Sequence, residues 1–187
     1  MGKKKALIFG ISGQDGAYLA DLLLKKNYTV IGVTRNNTNN NLFRLIKLGI
    51  HKSIYIYTNN TLEPIFLKKI FKKHNQINEI YFLSGETSPI RSIEKPVQTI
   101  ESNVISLSKI LEFIKKNKKI KFFYASSSEI FEKSKKNIFD ENSRLGPRHP
   151  YGISKAAGLL LVRYYRTFYN IFCCSGILFN HESPLRS

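Results

Sequence analysis

The chain has 187 residues, is 42% apolar and carries a formal net charge of +17. This length suits a single domain, 1–187, and no apolar run approaches the roughly 20 residues that a membrane-spanning helix needs. The basic N-terminus leads into only a short apolar stretch, residues 6–9, which cannot form the core of a signal peptide. The composition therefore predicts a cytoplasmic protein with no membrane anchor.

The excess of positive charge comes from lysines that are scattered along the chain rather than gathered in one segment. Most of them lie where a predicted helix ends or a predicted strand begins, which suits the helix dipole and a solvated surface. We therefore predict no nucleic-acid partner; the alternative, a basic nucleic-acid binder, would show a salt-sensitive interaction. Cys173 and Cys174 are adjacent, which gives no metal-ligand spacing and disfavours a disulfide, so we expect buried free thiols.

Short apolar runs alternate with helical stripes along the chain. The runs predict strands at residues 6–9, 29–33, 53–57, 79–83, 121–125 and 172–179. The stripes predict helices at residues 14–26, 42–48, 62–73, 97–114 and 151–169, with a polar, asparagine-rich loop at residues 36–41. This alternation is typical of an α/β fold, a doubly wound parallel Rossmann-type sheet with helices on both faces. Such sheets bind ligands at the carboxyl ends of their strands.

Gly10, Gly13 and Gly16 lie between the first predicted strand and the first predicted helix. Glycines at this point allow a tight turn and a close approach of the backbone to a pyrophosphate, which the helix N-terminus attracts. The spacing is three and three rather than the commoner G-x-G-x-x-G, but its position predicts a dinucleotide site. The second strand ends at Thr34-Arg35 instead of a carboxylate that would bind the ribose of NAD, so Arg35 favours NADP.

A second group of residues follows the fifth strand and opens the last helix. Tyr151 and Lys155 are four residues apart and share one helix face. An ammonium about 4 Å from the phenol would lower the pKa of Tyr151 and make it a general base. Ser126-Ser127-Ser128 follow the strand, and one of their hydroxyls would hydrogen-bond the substrate oxygen that Tyr151 deprotonates. Glu129 would remove a proton from the carbon next to a new ketone, which leads to loss of water.

Four segments carry a resemblance to a known family: residues 10–16 (GISGQDG), 126–129 (SSSE), 147–155 (PRHPYGISK) and 176–184 (GILFNHESP). Together they closely resemble the GDP-mannose 4,6-dehydratases, a branch of the extended short-chain dehydrogenase/reductase family. The resemblance covers essentially the whole chain. The GQDG and FNHESP stretches are its specific parts, whereas the glycine trio and the Y-x-x-x-K pair are shared more widely.

The resemblance implies conversion of GDP-mannose to GDP-4-keto-6-deoxymannose with NADP and without net oxidation. In that cycle a hydride leaves C4 of the mannose while Tyr151 takes the O4 proton. Glu129 then takes the C5 proton, water leaves from C6, and the hydride returns to C6. The resemblance also implies a homo-oligomer, a dimer or tetramer, in which the loop after Arg35 reaches toward a neighbour's cofactor.

The resemblance assigns site residues at matching positions. The implied catalytic residues are Ser127, Glu129, Tyr151 and Lys155. The implied substrate-binding residues are Ser88, Ser127, Glu129 and Asn180. The implied cofactor contacts are Gly10, Ser12, Gly13, Gln14, Asp15, Gly16, Arg35, Asn59, Asn60, Leu83, Ser84, Gly85, Thr87, Tyr151, Lys155, His181 and Arg186. Two departures predict weaker cofactor binding: the pair Asn59-Asn60 replaces the Asp-Leu that meets adenine, and Glu86 replaces a glutamine near the phosphates.

The family continues past the FNHESP segment into a small lobe that grips the nucleotide-sugar, whereas this sequence ends at residue 187. We expect these residues to hold the catalytic side chains, to lack most of the GDP-mannose pocket and to be weakly active or inactive alone. Two alternatives stay open. One is another sugar-nucleotide epimerase or 4-keto reductase on the same scaffold, and the other is a non-catalytic NADP-binding module.

Overall fold

Strands and helices alternate throughout the computed structural model, which describes residues 2–133 and 138–186. Within them the strands are Lys5–Phe9 (β1), Thr29–Thr34 (β2), Tyr55–Thr58 (β3), Glu79–Phe82 (β4), Lys121–Ser127 (β5) and Cys173–Leu178 (β6). The helices are Gln14–Lys25 (α1), Asn39–Lys47 (α2), Pro64–Lys73 (α3), Pro89–Glu94 (α4), Pro96–Ile100 (α5), Ser106–Ile114 (α6) and Pro150–Tyr169 (α7). Short 3₁₀ turns cover His51–Ser53 and Ser128–Ile130.

The strands form one parallel sheet in the order β3-β2-β1-β4-β5-β6. β1 lies in the middle, paired with β2 on one side and with β4 on the other. The path of the chain therefore reverses between β1 and β4, and the carboxyl ends of these strands border the crevice in which doubly wound sheets bind ligands. The predicted fold class is confirmed.

Apolar helix faces cover both sides of the sheet. On one side α3, α6 and α7 contribute buried residues such as Ile70, Ile110 and Val162. On the other side α1 and α2 contribute Ala20 and Leu45. Coverage on both faces explains why the strands read as continuous apolar runs, except for β3, the partly exposed strand at one edge. None of the helices in the described ranges has the length and apolarity that a membrane crossing requires.

A row of aromatic rings crosses the sheet near the carboxyl ends of three strands. Phe9 of β1 is in register with Phe82 of β4, which is in register with Tyr124 of β5. The ring centroids are 5.9 Å apart in the first pair and 6.2 Å apart in the second. All three side chains are buried, and such contacts add to the stability that burial gives. These ring contacts hold β1, β4 and β5 together beneath the loops that follow them.

The asparagine-rich segment predicted as a loop over residues 36–41 is helical from Asn39 onward, so the predicted boundary is wrong. The Thr38 side chain accepts a hydrogen bond from the Asn41 amide at 3.4 Å and caps the first turn of α2. The Asn41 side chain donates to the Thr34 hydroxyl at 2.7 Å, which ties α2 to the end of β2. The cap and this tertiary bond outweigh the low helix propensity of asparagine.

The stretch predicted as one helix over residues 97–114 is divided. A π turn, Glu101–Ile105, separates α5 from α6. Asn103 lies in that turn and is 1% exposed. Its side chain donates to the Ser154 hydroxyl at 2.9 Å and accepts from the Glu86 amide at 2.7 Å. These bonds stabilise the irregular turn, and π turns inside helices occur frequently at functional sites.

The expectation of two buried thiols is half wrong. Cys173 is buried and its Sγ donates to the Val162 carbonyl of α7, at 3.2 Å. Cys174 is exposed, because neighbouring residues of a strand point to opposite faces and β6 lies at the edge of the sheet. Both cysteines are free, as predicted.

Gly158 of α7 packs directly on Tyr124 of β5. A Cβ on Gly158 would lie 2.2 Å from the tyrosine Oη and 2.4 Å from its Cζ. We predict that Gly158→Ala lowers the free energy of unfolding by about 1–3 kcal/mol through overpacking, although alanine at an open helix position would raise it by about 1 kcal/mol. Urea denaturation measures the difference, and a stabilised Gly158→Ala variant would contradict this close contact.

Tyr124→Phe is the matched control, since it removes the atom that a Cβ on Gly158 would meet first. The Tyr124 hydroxyl is buried without a hydrogen-bond partner among the described residues. Tyr124→Phe alone should therefore be neutral or slightly stabilising, and in the double variant it should relieve part of the loss caused by Gly158→Ala.

Candidate active site

A cleft of about 1210 Å³ opens at the carboxyl ends of β1, β2 and β4. It exceeds the roughly 300–1,000 Å³ of ordinary small-molecule pockets and suits an extended ligand. Its lining includes many of the predicted cofactor residues, namely Gly10, Ser12, Gly13, Arg35, Asn59, Asn60, Leu83, Ser84, Gly85 and Thr87.

The glycine turn shapes the floor of this cleft. Gly10 has a φ of +86°, and a Cβ there would lie 2.8 Å from backbone atoms of Leu83 and Ser84, so a larger residue does not fit. At Gly16 a Cβ would lie 2.2 Å from the Gly10 carbonyl oxygen, which shows how closely α1 approaches the turn. Gly13 is the N-cap of α1 and has no side chain to bond the first amides of the helix. These amides and the helix dipole fit an anionic group such as a pyrophosphate.

Two arginines line the cleft beyond the end of β2. Arg35 follows Thr34 and is exposed. Arg44 comes from α2, and the sequence analysis missed it because only the tertiary structure brings α2 to this edge. Its guanidinium donates to the Leu185 carbonyl at 2.8 Å and to the Ser12 carbonyl at 3.2 Å. Arg44 thus joins the glycine turn to the C-terminal segment, and this corner of the cleft carries positive charge.

Asn59 follows β3 and lines the cleft, but its side-chain oxygen is already engaged. Oδ1 accepts hydrogen bonds from the amides of Thr61 at 3.0 Å and Leu62 at 2.6 Å. The acceptor expected to meet adenine therefore holds its own turn, as asparagine side chains in turns often do. Asn60 is exposed in the same turn.

Ser127, Glu129 and Tyr151 meet where β5 ends and α7 begins. Ser126 and Ser127 are the last residues of β5 rather than part of a following loop, and the Ser127 side chain is near enough to the Tyr151 phenol to influence its pKa. The Ser127 hydroxyl also accepts from the Glu129 amide at 3.3 Å, which starts the 3₁₀ turn. The carboxylate of Glu129 acts electrostatically on Tyr151, and 48% of its side chain is exposed. The structure thus brings a hydroxyl, a phenol and a carboxylate into one site.

The predicted direction of the Tyr151 pKa shift is wrong. Burial raises the pKa of the phenol, and the charges of Glu129 and Glu86 raise it further, while the nearby Ser127 hydroxyl acts in the opposite sense. A buried phenol close to two carboxylates holds its proton because the phenolate would be both poorly solvated and repelled. The ammonium of Lys155 does not bring the pKa of Tyr151 below its ordinary value.

Lys155 is 4% exposed and is directed at the backbone of β5. Its Nζ donates to the Ala125 carbonyl at 2.9 Å and lies 5.8 Å from the centre of the Tyr151 ring and 5.3 Å from that of Tyr124. Desolvation lowers the pKa of Lys155 to about 8. Burial therefore weakens the positive charge that was expected to stabilise the phenolate.

The loop after β4 links the cleft to the Tyr151 site. Glu86 Oε1 accepts from the amides of Thr87 and Ser88, both at 2.9 Å, and Oε2 lies 3.6 Å from Nε of Arg91. These partners offset the negative charge that was expected to repel cofactor phosphates. Ser88, a predicted substrate residue, caps α4 by accepting from the Arg91 amide at 3.3 Å.

Ser92 and Asn103 were missed by the sequence analysis, because neither stands in a motif. The Ser92 hydroxyl accepts from the Tyr151 amide at 3.1 Å and is completely buried. The Asn103 side chain joins the Glu86 backbone to Ser154 of α7. Both residues fix the start of α7 against the loop that follows β4.

The segment after β6 packs against the first turn of α1. His181 Nε2 lies 2.7 Å from Asp15 Oδ1, and Nδ1 lies 2.7 Å from the Phe179 carbonyl. The bond with this carbonyl, and then the bond with Asp15, raise the pKa of His181. Ser183 donates to the Gln14 side chain at 2.8 Å. The structure therefore engages the side chains of Gln14, Asp15 and His181, three predicted cofactor residues, in holding this segment.

Arg186 and Asn180 lie in or beside the same segment, and neither belongs to the lining of the cleft. Arg186 donates to the His181 carbonyl at 3.1 Å and pairs with Glu182. Asn180 follows β6 and is exposed. The structure thus places Arg186 beside His181, another predicted contact, and leaves Arg186 and Asn180 outside the lining of the cleft.

A family model described as GDP-mannose 4,6 dehydratase matches residues 7–187 of this chain. The chain is 36% identical to the GDP-mannose 4,6 dehydratase of Drosophila melanogaster, over 98% of the chain and 48% of that protein. It is 34% identical to the Homo sapiens protein of the same description, over 100% of the chain and 53% of that protein. The chain spans about half the length of the curated relatives it matches.

Solved structures of similar fold include a dTDP-glucose 4,6-dehydratase from Bacillus anthracis in complex with NAD. The TM-score is 0.78 at 22% identity, and the match covers 92% of this chain and 53% of that one. A UDP-glucuronic acid 4-epimerase from Bacillus cereus gives a TM-score of 0.79 at 22% identity, over 91% of this chain and 55% of that one. At these identities the likeness shows the doubly wound fold alone.

The lowered pKa of Lys155 predicts a pH dependence of stability. The unfolded chain holds this proton up to its ordinary pKa of 10.5, whereas the folded protein releases it near pH 8. Between these values the unfolded state binds more protons, so stability rises with pH by up to about 1.4 kcal/mol per unit. Urea denaturation of the parent and of Lys155→Met from pH 7 to 9.5 should show this rise only in the parent, and parallel curves would contradict it.

Proposed function

The chain belongs to the GDP-mannose 4,6-dehydratase family, and we propose that its site converts GDP-mannose to GDP-4-keto-6-deoxymannose with loss of water. The grouping of Ser127, Glu129 and Tyr151 at the end of β5 carries this proposal. Dehydration that starts from a sugar C4 hydroxyl needs a proton acceptor for that hydroxyl, a donor that holds its oxygen, and a base for the neighbouring C–H. Tyr151 supplies the proton acceptor, Ser127 the donor, and Glu129 the base.

Each side chain has one task in the proposed cycle. Ser127 holds O4 by a hydrogen bond, and Tyr151 accepts the O4 proton as a hydride leaves C4. When bound, NADP supplies the hydride acceptor and a positive charge that would lower the pKa of Tyr151. Glu129 accepts the C5 proton, and the electron pair of that C–H bond expels the C6 hydroxyl, which leaves with a proton as water. Return of the hydride to C6 and of a proton to C5 completes a conversion in which only water is lost.

The cleft supports NADP as the cofactor. The glycine turn and the uncapped amides of α1 fit a pyrophosphate. Beyond β2, Arg35 is exposed to the cleft and its guanidinium can bind a phosphate in a bidentate manner, while Arg44, engaged with backbone carbonyls, adds positive charge. A 2′-phosphate on the adenosine ribose would lie in this basic corner, which favours NADP over NAD.

We propose that the protein assembles as a homo-oligomer. Leu160, Tyr164 and Phe168 form an exposed stripe on α7, with exposed fractions of 49%, 43% and 72%. These residues are four apart, so they lie on one helix face that a second copy of the chain could cover. A cytoplasmic location stays a prediction from the sequence.

The choice of cofactor can be tested on the chain itself with adenosine 2′,5′-bisphosphate and ADP. We predict that Arg35→Ala weakens binding of the bisphosphate about tenfold, or about 1.4 kcal/mol, and leaves ADP binding nearly unchanged. Arg35→Lys keeps the charge without the bidentate geometry and should lie in between. Calorimetric titration gives the affinities. Equal losses for both nucleotides would remove the case for a 2′-phosphate contact.

The reaction can be tested with purified protein, GDP-mannose and a catalytic amount of NADP. We predict that a product lighter by one water forms slowly, as expected for a chain without most of the GDP-mannose pocket, and that Tyr151→Phe lowers this rate by a further factor of at least about 100. Glu129→Gln should still oxidise C4, so reduced cofactor accumulates while no water is lost. Mass spectrometry and cofactor absorbance follow the two steps.

Other outcomes of this assay would favour the alternatives. A product of unchanged mass would indicate an epimerase. Stoichiometric consumption of NADPH, when NADPH is supplied in place of NADP, would indicate a 4-keto reductase. Binding of NADP by a folded protein whose reaction with GDP-mannose is unchanged by Tyr151→Phe would indicate a non-catalytic module.

A further inference from the structure

His149, which the sequence analysis left without a role, is the N-cap of α7. Its Nδ1 accepts a hydrogen bond from the Gly152 amide at 3.1 Å. Helices more commonly use a short hydroxyl or carboxylate at this position, as the chain does with Thr38 and Ser88. An imidazole fills the capping task with one ring nitrogen and leaves the other free to act elsewhere.

The second ring nitrogen faces the Glu129 carboxylate, with 3.0 Å between Nε2 and Oε2. Because the Gly152 amide donates to Nδ1, the ring proton of neutral His149 lies on Nε2 and points at Glu129. The helix cap therefore selects the tautomer that donates to the carboxylate. No sequence motif marks this arrangement, since the three residues come together only when α7 docks beside the end of β5.

We propose that His149 is a positioning residue that holds the Glu129 carboxylate toward the substrate by donating from Nε2 to Oε2. The proposal rests on the function proposed above for Glu129 as the acceptor of the C5 proton. It adds a residue through which the start of α7 controls that base.

The geometry around the pair supports a positioning role. In the described ranges, 2–133 and 138–186, no group hydrogen-bonds the second carboxylate oxygen of Glu129, so Oε1 is available to a substrate. His149 is the less exposed partner, at 17% against 48% for Glu129, which makes it the fixed member of the pair. Its ring is also nearly parallel to that of Tyr151, at 5° with centroids 6.0 Å apart. One side chain thus contacts both proposed proton acceptors.

The competing explanation is an ordinary surface ion pair, which contributes little and is readily lost. The charged and titratable groups near Glu129 and Tyr151 differ in whether they can donate a hydrogen bond to the Glu129 carboxylate. The charge of Glu86 acts on Tyr151 and offers no donor, and Lys155 donates to the Ala125 carbonyl. The ring N–H of His149 is the donor that the described structure offers to the Glu129 carboxylate. A His149 that positions Glu129 therefore keeps one fixed tautomer, with its proton on Nε2. An unordered ion pair does not fix the tautomer.

Nitrogen-15 NMR of the chain tests the contact without any activity. His149→Ser identifies the ring signals by their loss, and a serine still caps α7. In the parent protein, Nδ1 should resonate as an unprotonated acceptor, and the Nε2 proton should be observable. Glu129→Gln keeps an acceptor oxygen but removes its charge, so it should shift the Nε2 signal and speed exchange of its proton about fivefold, as weakening of a charge-assisted hydrogen bond by about 1 kcal/mol implies. An Nε2 signal that does not respond to Glu129→Gln would overturn the proposal.

The same chain offers a control for folding. Glu129→Gln leaves the cap of α7 in place, so protection of the Gly152 amide should match that of the parent. If His149→Ser does not fold, the comparison of the parent with Glu129→Gln still decides the contact. His149→Ala removes both the cap and the contact with Glu129. The difference in Gly152 amide protection between His149→Ala and His149→Ser therefore measures the effect of the cap alone.

Turnover of GDP-mannose with NADP distinguishes positioning from a purely structural role. We expect His149→Ser to slow water loss about tenfold, as a displaced catalytic group does, while C4 oxidation continues and the fraction of reduced cofactor rises. Equal slowing of both steps would mean that His149 only supports α7 and would overturn the positioning role. If no variant and not even the parent turns over, the proposed function fails, whereas the NMR result still decides the contact between His149 and Glu129.

Discussion

The packing of α7 on β5 is the constraint on which the rest of the site depends. Gly158 lets the helix touch Tyr124, since even one Cβ would lie 2.2 Å from the tyrosine hydroxyl oxygen. About one helical turn toward the N-terminus, Lys155 is buried and its Nζ donates to the Ala125 carbonyl. Burying an amine with so few partners is costly, which is why the pKa of Lys155 falls. The helix cannot rotate without breaking these contacts, and this holds Tyr151 beside Ser127.

A second set of polar contacts fixes the start of α7 against neighbouring loops. Ser92 accepts from the Tyr151 amide, and Asn103 reaches Ser154 from the π turn before α6. His149 caps the helix and faces Glu129. Because these groups have specific partners, and Ser92 and Asn103 are buried, they select one orientation of the helix start. The position of the phenol is therefore determined by several elements that are distant in sequence.

The cleft carries charges of both signs. Arg35 and Arg44 line it beyond β2, and Glu86, which faces Arg91, lines it after β4. The two arginines give that corner a positive charge that fits a phosphate. The charges of Glu86 and Glu129 act on Tyr151 and favour its protonated form.

The positions that depend on neighbours in sequence were predictable, and those that depend on packing were not. Alternating apolar runs predicted the sheet, and the glycine trio predicted the turn that opens α1. The division of the helix over residues 97–114 was not predictable, because its cause is a bond from Asn103 to residues far along the chain.

The candidate site divides in the same way. The sequence alone determined that a phenol, a hydroxyl and a carboxylate follow β5 and open α7, because side-chain chemistry and helix spacing are local properties. The tertiary structure alone decided the direction of the Tyr151 pKa shift, the retreat of Lys155 to the Ala125 carbonyl and the contact between His149 and Glu129. Desolvation and hydrogen bonding between distant segments set these properties, and both exist only after the chain has packed.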